Sequence, residues 1–173
     1  PKNALYKIQA GEFNVKGYTL FSNQLEDDST RGIILLVKQE LGVKQLHFET
    51  EPSESITVDI SGSSHCNSTV LVLVYRSPNS TNANDEKLLT LINTVSNKKG
   101  NLIIVGDFNY PSICWKEWED KRGHGAGEKF LNCMRRNLLS QHVTQPTRFR
   151  EGQEPHVLDL VITNDDFVEG INY

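Results

Sequence analysis

The chain has 173 residues, 37% of them hydrophobic, which suits a single globular domain spanning 1–173 with a core of its own. No apolar run reaches membrane-spanning length, so no membrane partner is expected. The net charge of −4 argues against gripping nucleic acid by bulk charge alone.

Pro1 to Gly17 has no clear period and reads as loop. Tyr18 to Ser22 suits a short strand, and QLEDDST an acidic turn. Gly32 to Lys38 (GIILLVK) reads as a buried strand. Val43 to Thr50 alternates Val43, Gln45 and His47 against Lys44, Leu46 and Phe48, as in a strand with one dry face. Ser55 to Ile60 alternates likewise, SGSSHCNS reads as a polar hairpin loop, and Thr69 to Tyr75 as another buried strand. Asn84 can cap a helix running to Asn97, with Leu88, Leu91, Ile92 and Val95 on one stripe.

That helix delivers the chain into NLIIVGDFNY, Asn101 to Tyr110. The run Leu102 to Val105 predicts a central strand covered on both faces, ending at Gly106, with Asp107 and Asn109 presented just beyond. An irregular loop with Trp115 and Trp118 follows. A second helix is expected from about Ala126 to Leu139, with Phe130, Leu131, Met134 and Leu138 inward. Thr147 to Phe149 is extended, and Val157 to Thr163 is a last strand with Asp159 inside it, an acid that is costly to bury unpaired. Antiparallel strands followed by alternating helix and strand imply an α/β sandwich, helices outside and two sheets inside.

Charge is unevenly spread. Lys121 to Arg150 holds seven Lys/Arg and one acid, against eleven basic and twenty-one acidic groups elsewhere. A basic third on an acidic body is compatible with phosphate binding on one surface. Cys66, Cys114 and Cys133 show no CxxC spacing, so neither a disulfide framework nor a zinc site is expected. The natural location is intracellular, nuclear or cytoplasmic. Two sequons, at Asn67 and Asn79, are read as chance triplets. No signal-peptide pattern opens the chain, and Pro1 is expected to lie inside a longer product.

Polar residues thus close or interrupt three apolar strands, at YRSPN, GDFN and HVLDLVITN. Together with RGIILLVK and QPTRF, in this order between Arg31 and Asn164, they resemble the endonuclease/exonuclease/phosphatase superfamily. The likeness is to the apurinic-endonuclease-like domain of non-LTR retrotransposons. The resemblance implies part of a DNase I-like two-sheet α/β sandwich that hydrolyses phosphodiesters with magnesium or manganese. DNA would be the partner, with a reverse transcriptase domain on the same polypeptide.

By that resemblance Asp107 would orient or deprotonate the attacking water and, with Asn109, serve the metal and its bound phosphate. Tyr75 would donate to that phosphate and Asn79 would brace the loop around it. Thr147 and Arg148 of QPTRF would meet DNA, with Arg150 beside them. Asp159 would pair with a catalytic histidine. Carboxylate and carboxamide oxygens are hard ligands suited to magnesium, and a tyrosine hydroxyl can offset charge developing on a phosphate.

The departures are specific. The family's metal-binding Glu and first-strand Asn are expected before Pro1, and its closing Ser-Asp-His after Tyr173. Glu12 and Glu49 sit at no matching strand end, and His156 reads as a loop histidine. Trp115 and Trp118 read as packing residues. The expectation is therefore the central part of a DNA-nicking endonuclease with an incomplete active centre. Two alternatives stand beside it: a non-catalytic remnant acting as a binding or structural module, and a phosphatase of the same fold.

Overall fold

The computed structural model describes residues 13, 15–25, 31–61, 68–149, 152 and 154–173. Glu12, Cys66, Asn67, Arg150, most of the opening segment, most of the acidic turn and most of the SGSSHCNS loop lie outside the described residues. Among those described, no helix is long and apolar enough to cross a membrane.

A six-stranded sheet forms the centre. Its strands are β3 (Val43–Leu46), β4 (Ser55–Ser61), β5 (Ser68–Tyr75), β6 (Asn101–Asp107), β9 (Ser140–Gln141) and β10 (Asp159–Thr163). Their order across the sheet is β3-β4-β5-β6-β10-β9. Only β5 and β6 run parallel, joined through helix α1 (Asn82–Ser96); the other neighbours are antiparallel. A separate antiparallel pair, β1 (Tyr18–Gln24) and β2 (Gly32–Lys38), is tied to the large sheet by Asn23, whose side-chain amide donates to the Ser55 carbonyl at 2.9 Å. A small hairpin, β7 (Ile113–Cys114) and β8 (Glu119–Asp120), leads into helix α2 (Ala126–Arg136).

Alternation sorts the side chains into two layers. Val70, Val72 and Val74 of β5, Leu102 and Ile104 of β6, and Leu160 and Ile162 of β10 are buried in one cluster with the helices. Leu88, Leu91, Ile92 and Val95 of α1 and Phe130, Leu131 and Met134 of α2 complete it. Each such side chain contributes about 1.5–3 kcal/mol by leaving water. On the opposite face β1 and β2 pack on β4 and β5, burying Val37, Ile56 and Val58.

Several expectations change in detail. β6 is not covered equally: Leu102 and Ile104 are buried, but Ile103 and Val105 are half-buried, because β1 and β2 pack chiefly on the β4–β5 side. For the same reason β2 buries only Val37. β6 does not stop at Gly106 but continues through Asp107. β3 ends at Leu46, well short of Thr50. Thr81, not Asn84, caps α1: its hydroxyl accepts the Asn84 N–H at 3.2 Å. Asn84 instead receives the Ser53 N–H and hydroxyl at 2.8 and 3.0 Å. Finally, α2 ends at Arg136, and Leu138 enters the left-handed region (φ 53°) with 83% of its surface exposed. That turn rotates Leu138 outward and drops Leu139 into the core in its place.

Candidate active site

One row of side chains crosses three strands. Tyr75 is registered with Asp107 across the parallel β5–β6 pair, and Asp107 with Asp159 across the antiparallel β6–β10 pair. Registered neighbours project from the same face, here the face away from the helices. Tyr75 and Asp107 are half-buried and Asp159 is exposed. Asp159 therefore opens β10 at the surface, contrary to the expectation of an acid buried in mid-strand. Solvent reaches its carboxylate, so no buried partner is required.

Gly106 makes the row possible. Its φ is 140°, and a Cβ there would stand 1.8 Å from the Val74 carbonyl oxygen, so only glycine lets β6 approach β5 this closely. Beyond the row the chain turns through Asn109 (φ 48°), whose backbone N–H donates to Asp107 Oδ1 at 3.1 Å. The Asn109 side-chain Nδ2 donates to the Arg76 carbonyl at 3.1 Å and the residue is only 7% exposed. Asn109 thus braces the site from within through Nδ2.

Arg76 is the residue the sequence reading passed over. Its N–H donates to the Asp107 carbonyl at 2.8 Å, and Nη1 to the Asn109 carbonyl at 3.0 Å. Nε and Nη2 both donate to the Asp85 carboxylate at 2.8 Å, and the guanidinium carbon lies 4.2 Å from the Tyr110 ring centroid. The YRSPN and GDFN loops are therefore pinned together beneath Asp107. The signal available in the sequence was a lone arginine immediately after a buried strand, nine residues before an acid in the first turn of a helix.

Thr147 and Arg148 also come to this edge. The Thr147 hydroxyl accepts the N–H groups of Leu158 and Asp159, both at 3.1 Å, and so sets the start of β10. The Arg148 and His156 backbones form an isolated bridge, which accounts for the half-buried His156 as a structural partner. Asp107 titrates above the usual carboxylate range. Burial is the main cause and the facing Asp159 charge the next, opposed by bonds from Asn109 and by the Arg148 charge. Asn79 is exposed, and its described hydrogen bond is from its own N–H to Ser77 Oγ at 3.4 Å.

The basic segment does not flank the row as a unit. α2 lies on the far face of the sheet, where Lys129 pairs with Glu86 at 2.5 Å and Arg135 with Glu128 at 3.1 Å. The tryptophans pack: Trp115 meets Trp118 edge-on at 5.5 Å and Phe130 at 6.4 Å.

A resident magnesium ion wants six oxygens in near-ideal geometry. Among the described residues no group of three or more His, Cys, Asp or Glu is placed to hold a metal ion. Glu49 is exposed beyond β3, away from a strand end. Two carboxylates on one row do not fit a complete metal centre.

A mixed sheet with helices on one face, and polar residues where β5 and β6 end and β10 begins, defines a DNase I-like fold of the endonuclease/exonuclease/phosphatase superfamily. The model of the endonuclease-reverse transcriptase family matches residues 69–170, and the chain belongs to that family. Solved structures agree on the fold. The endonuclease domain of TRAS1, a telomere-specific non-LTR retrotransposon, matches with TM-score 0.64 at 21% identity, over 88% of this chain and 67% of that one. AP endonuclease LMAP from Leishmania major gives 0.60 at 14% identity, covering 89% and 64%. An endonuclease/exonuclease/phosphatase family protein from Leptotrichia buccalis gives 0.52 at 11%, covering 90% and 63%. The chain thus spans about two thirds of the length of these structures. A search of the curated proteins finds no match.

Proposed function

We propose that the chain is the central part of a DNA-nicking endonuclease domain of the non-LTR retrotransposon type, acting on phosphodiesters. The observation that carries this reading is the row Tyr75, Asp107, Asp159, set by strand register at one edge of the sheet. The loops beneath the row support it: Arg76 pins the ends of β5 and β6 together through the Asp107 and Asn109 carbonyls. Asp107, held by Asn109 and titrating above an ordinary carboxylate, is suited to orient a water and take its proton. Tyr75 would hydrogen-bond a phosphate oxygen, and Arg148 would add a cation beside it. In this family's chemistry a divalent ion offsets charge on the phosphate. Here that ion needs oxygen ligands beyond the described set.

A second reading, a domain that binds DNA without cutting it, is favoured by that incomplete donor set. Nicking of supercoiled plasmid in magnesium separates the two. The 173-residue chain should nick little or not at all. An extended chain carrying the family's upstream Glu and closing Ser-Asp-His should nick, and Asp107→Ala in it should abolish nicking. An extended chain that binds DNA but leaves it intact would establish the second reading. Strong nicking by the 173 residues alone, lost in Asp107→Ala, would show that the metal site lies elsewhere than inferred.

A further inference from the structure

Tyr75 is flanked on the side away from Asp107 by a cation that neither the motifs nor the strand register assigns to the site. Arg31 immediately precedes β2, and its guanidinium carbon lies 5.7 Å from the Tyr75 ring centroid, within cation–π range. Nη2 of Arg31 donates to Glu54 Oε2 at 2.6 Å. Glu54 immediately precedes β4, and its own carbonyl accepts the Tyr75 N–H at 3.0 Å. Arg31, Glu54 and Tyr75 are therefore linked by an ion pair, a ring contact and a backbone bond, although they come from three separate strand ends.

The exposures of the two partners differ in an informative way. The Glu54 side chain is 5% exposed, while that of Arg31 is 38% exposed. A solvent-exposed ion pair contributes little, and burying a carboxylate is costly unless it is paired. Here the buried carboxylate fixes a guanidinium whose other edge stays open to solvent. Among the described residues Glu54 is the one hydrogen-bond partner of the Arg31 side chain. A guanidinium carries five N–H donors in a planar fork, so donors remain for a ligand, and the rotamer freedom normally lost on binding is already spent. A planar, preset donor over the Tyr75 ring matches the oxygens of a phosphate.

We propose that Arg31 is a phosphate-binding residue of the candidate site, clamped by Glu54 against Tyr75 so that its outer edge takes a non-bridging oxygen of a DNA phosphate. The inference rests on the functional reading above. It extends the site from β6 and β10 across β5 to the β1–β2 layer.

Duplex binding by the 173-residue chain, followed by fluorescence anisotropy over a salt series, tests it. Arg31→Ala should weaken binding about tenfold and lower the slope of log affinity against log salt by about one, as for one lost phosphate contact. Arg31→Lys should keep the slope and lose part of the affinity. Glu54→Gln should keep the slope and weaken binding less than Arg31→Ala, because the cation remains but its clamp loosens. Should Arg31→Ala melt below the assay temperature, Arg31→Gln carries the same expectation while keeping a hydrogen bond to Glu54. Parent affinity and slope in Arg31→Ala, with binding weakened in Arg148→Ala, would overturn the role of Arg31 and leave the functional reading standing. No salt-dependent binding by the parent chain would overturn both.

Discussion

Asp107 and Asp159 face each other directly across the β6–β10 pair. Two acids in that relation repel, and a sheet selected for stability alone would not place them so. Burial of Asp107 adds to the penalty and Arg148 relieves part of it. Strain of this kind, held in place by a rigid sheet and by Arg76 beneath, is what a site for a positively charged or hydrogen-bonding ligand requires.

The pair predicts a definite pH dependence. The Asp107 carboxyl is raised above its ordinary value of 3.8 in the folded protein, so the native state favours its protonated form. Its contribution to stability is fully present below 3.8 and is lost as pH rises through the raised value. Asp107→Asn should therefore melt higher than the parent at pH 7, by about 0.2–1 kcal/mol in stability. The advantage should vanish as pH falls below 3.8. An advantage that persists unchanged at low pH would mean that charge is not its cause.

Gly106 predicts the opposite outcome. Its φ of 140° and the 1.8 Å approach to the Val74 carbonyl leave no room for a methyl group. Gly106→Ala should cost about 3 kcal/mol or more, combining backbone strain with loss of the β5–β6 contact. Chemical denaturation would measure it, and a loss under 1 kcal/mol would show that β6 can shift away from β5 without harm.

The sequence revealed the strands and helices because their periodicities follow burial: α1 buries the stripe Leu88, Leu91, Ile92 and Val95, whereas β4 buries Ser55 to Val58 in succession and β6 only one face fully. It also revealed which strand ends carry polar groups. Three things were not legible. Whether β6 ended at Gly106 depended on the Val74 carbonyl, a neighbour brought close only by pairing. Whether Leu138 or Leu139 faced inward depended on the left-handed turn after α2. The third was the bond from Asn109 Nδ2 to the YRSPN loop. It depends on the Arg76 carbonyl, thirty-three residues away.

α2 offers a third test. Its N-cap residue is Gly125, which has no side chain to cap with. Asp120 of β8 does so from outside: Oδ2 accepts the Glu128 N–H at 3.1 Å, and Oδ1 the Arg122 N–H at 3.0 Å. The residue is 4% exposed. Asp120→Ala should cost about 1–2 kcal/mol, as for loss of a helix cap. Hydrogen exchange should show the first turn of α2 opening more readily while α1 is unchanged. Equal protection of α2 in parent and variant would assign the capping to solvent.

The last prediction concerns the brace beneath the site. Arg76 and Asp85 form an ion pair with side chains only 8% and 9% exposed, and Ser80 Oγ donates to Asp85 Oδ1 at 2.7 Å. Removing one partner of a buried pair leaves the other charge stranded, so Asp85→Ala should cost about 3–5 kcal/mol. The consequence should reach the row as well. Arg76 holds the Asn109 carbonyl through Nη1 and the Asp107 carbonyl through its backbone, and Asn109 in turn donates to Asp107. An arginine drawn toward water would loosen Asn109 and with it one of the bonds that steadies the Asp107 carboxylate. Asp85→Ala should therefore lower salt-dependent DNA binding at a temperature where it is still folded, although Asp85 itself stands among the described residues as a partner of Arg76 and Ser80. Replacing both members by apolar residues, Arg76→Met with Asp85→Leu, should recover most of the stability and little of the binding. Binding that returns in step with stability would show that the pair serves folding alone.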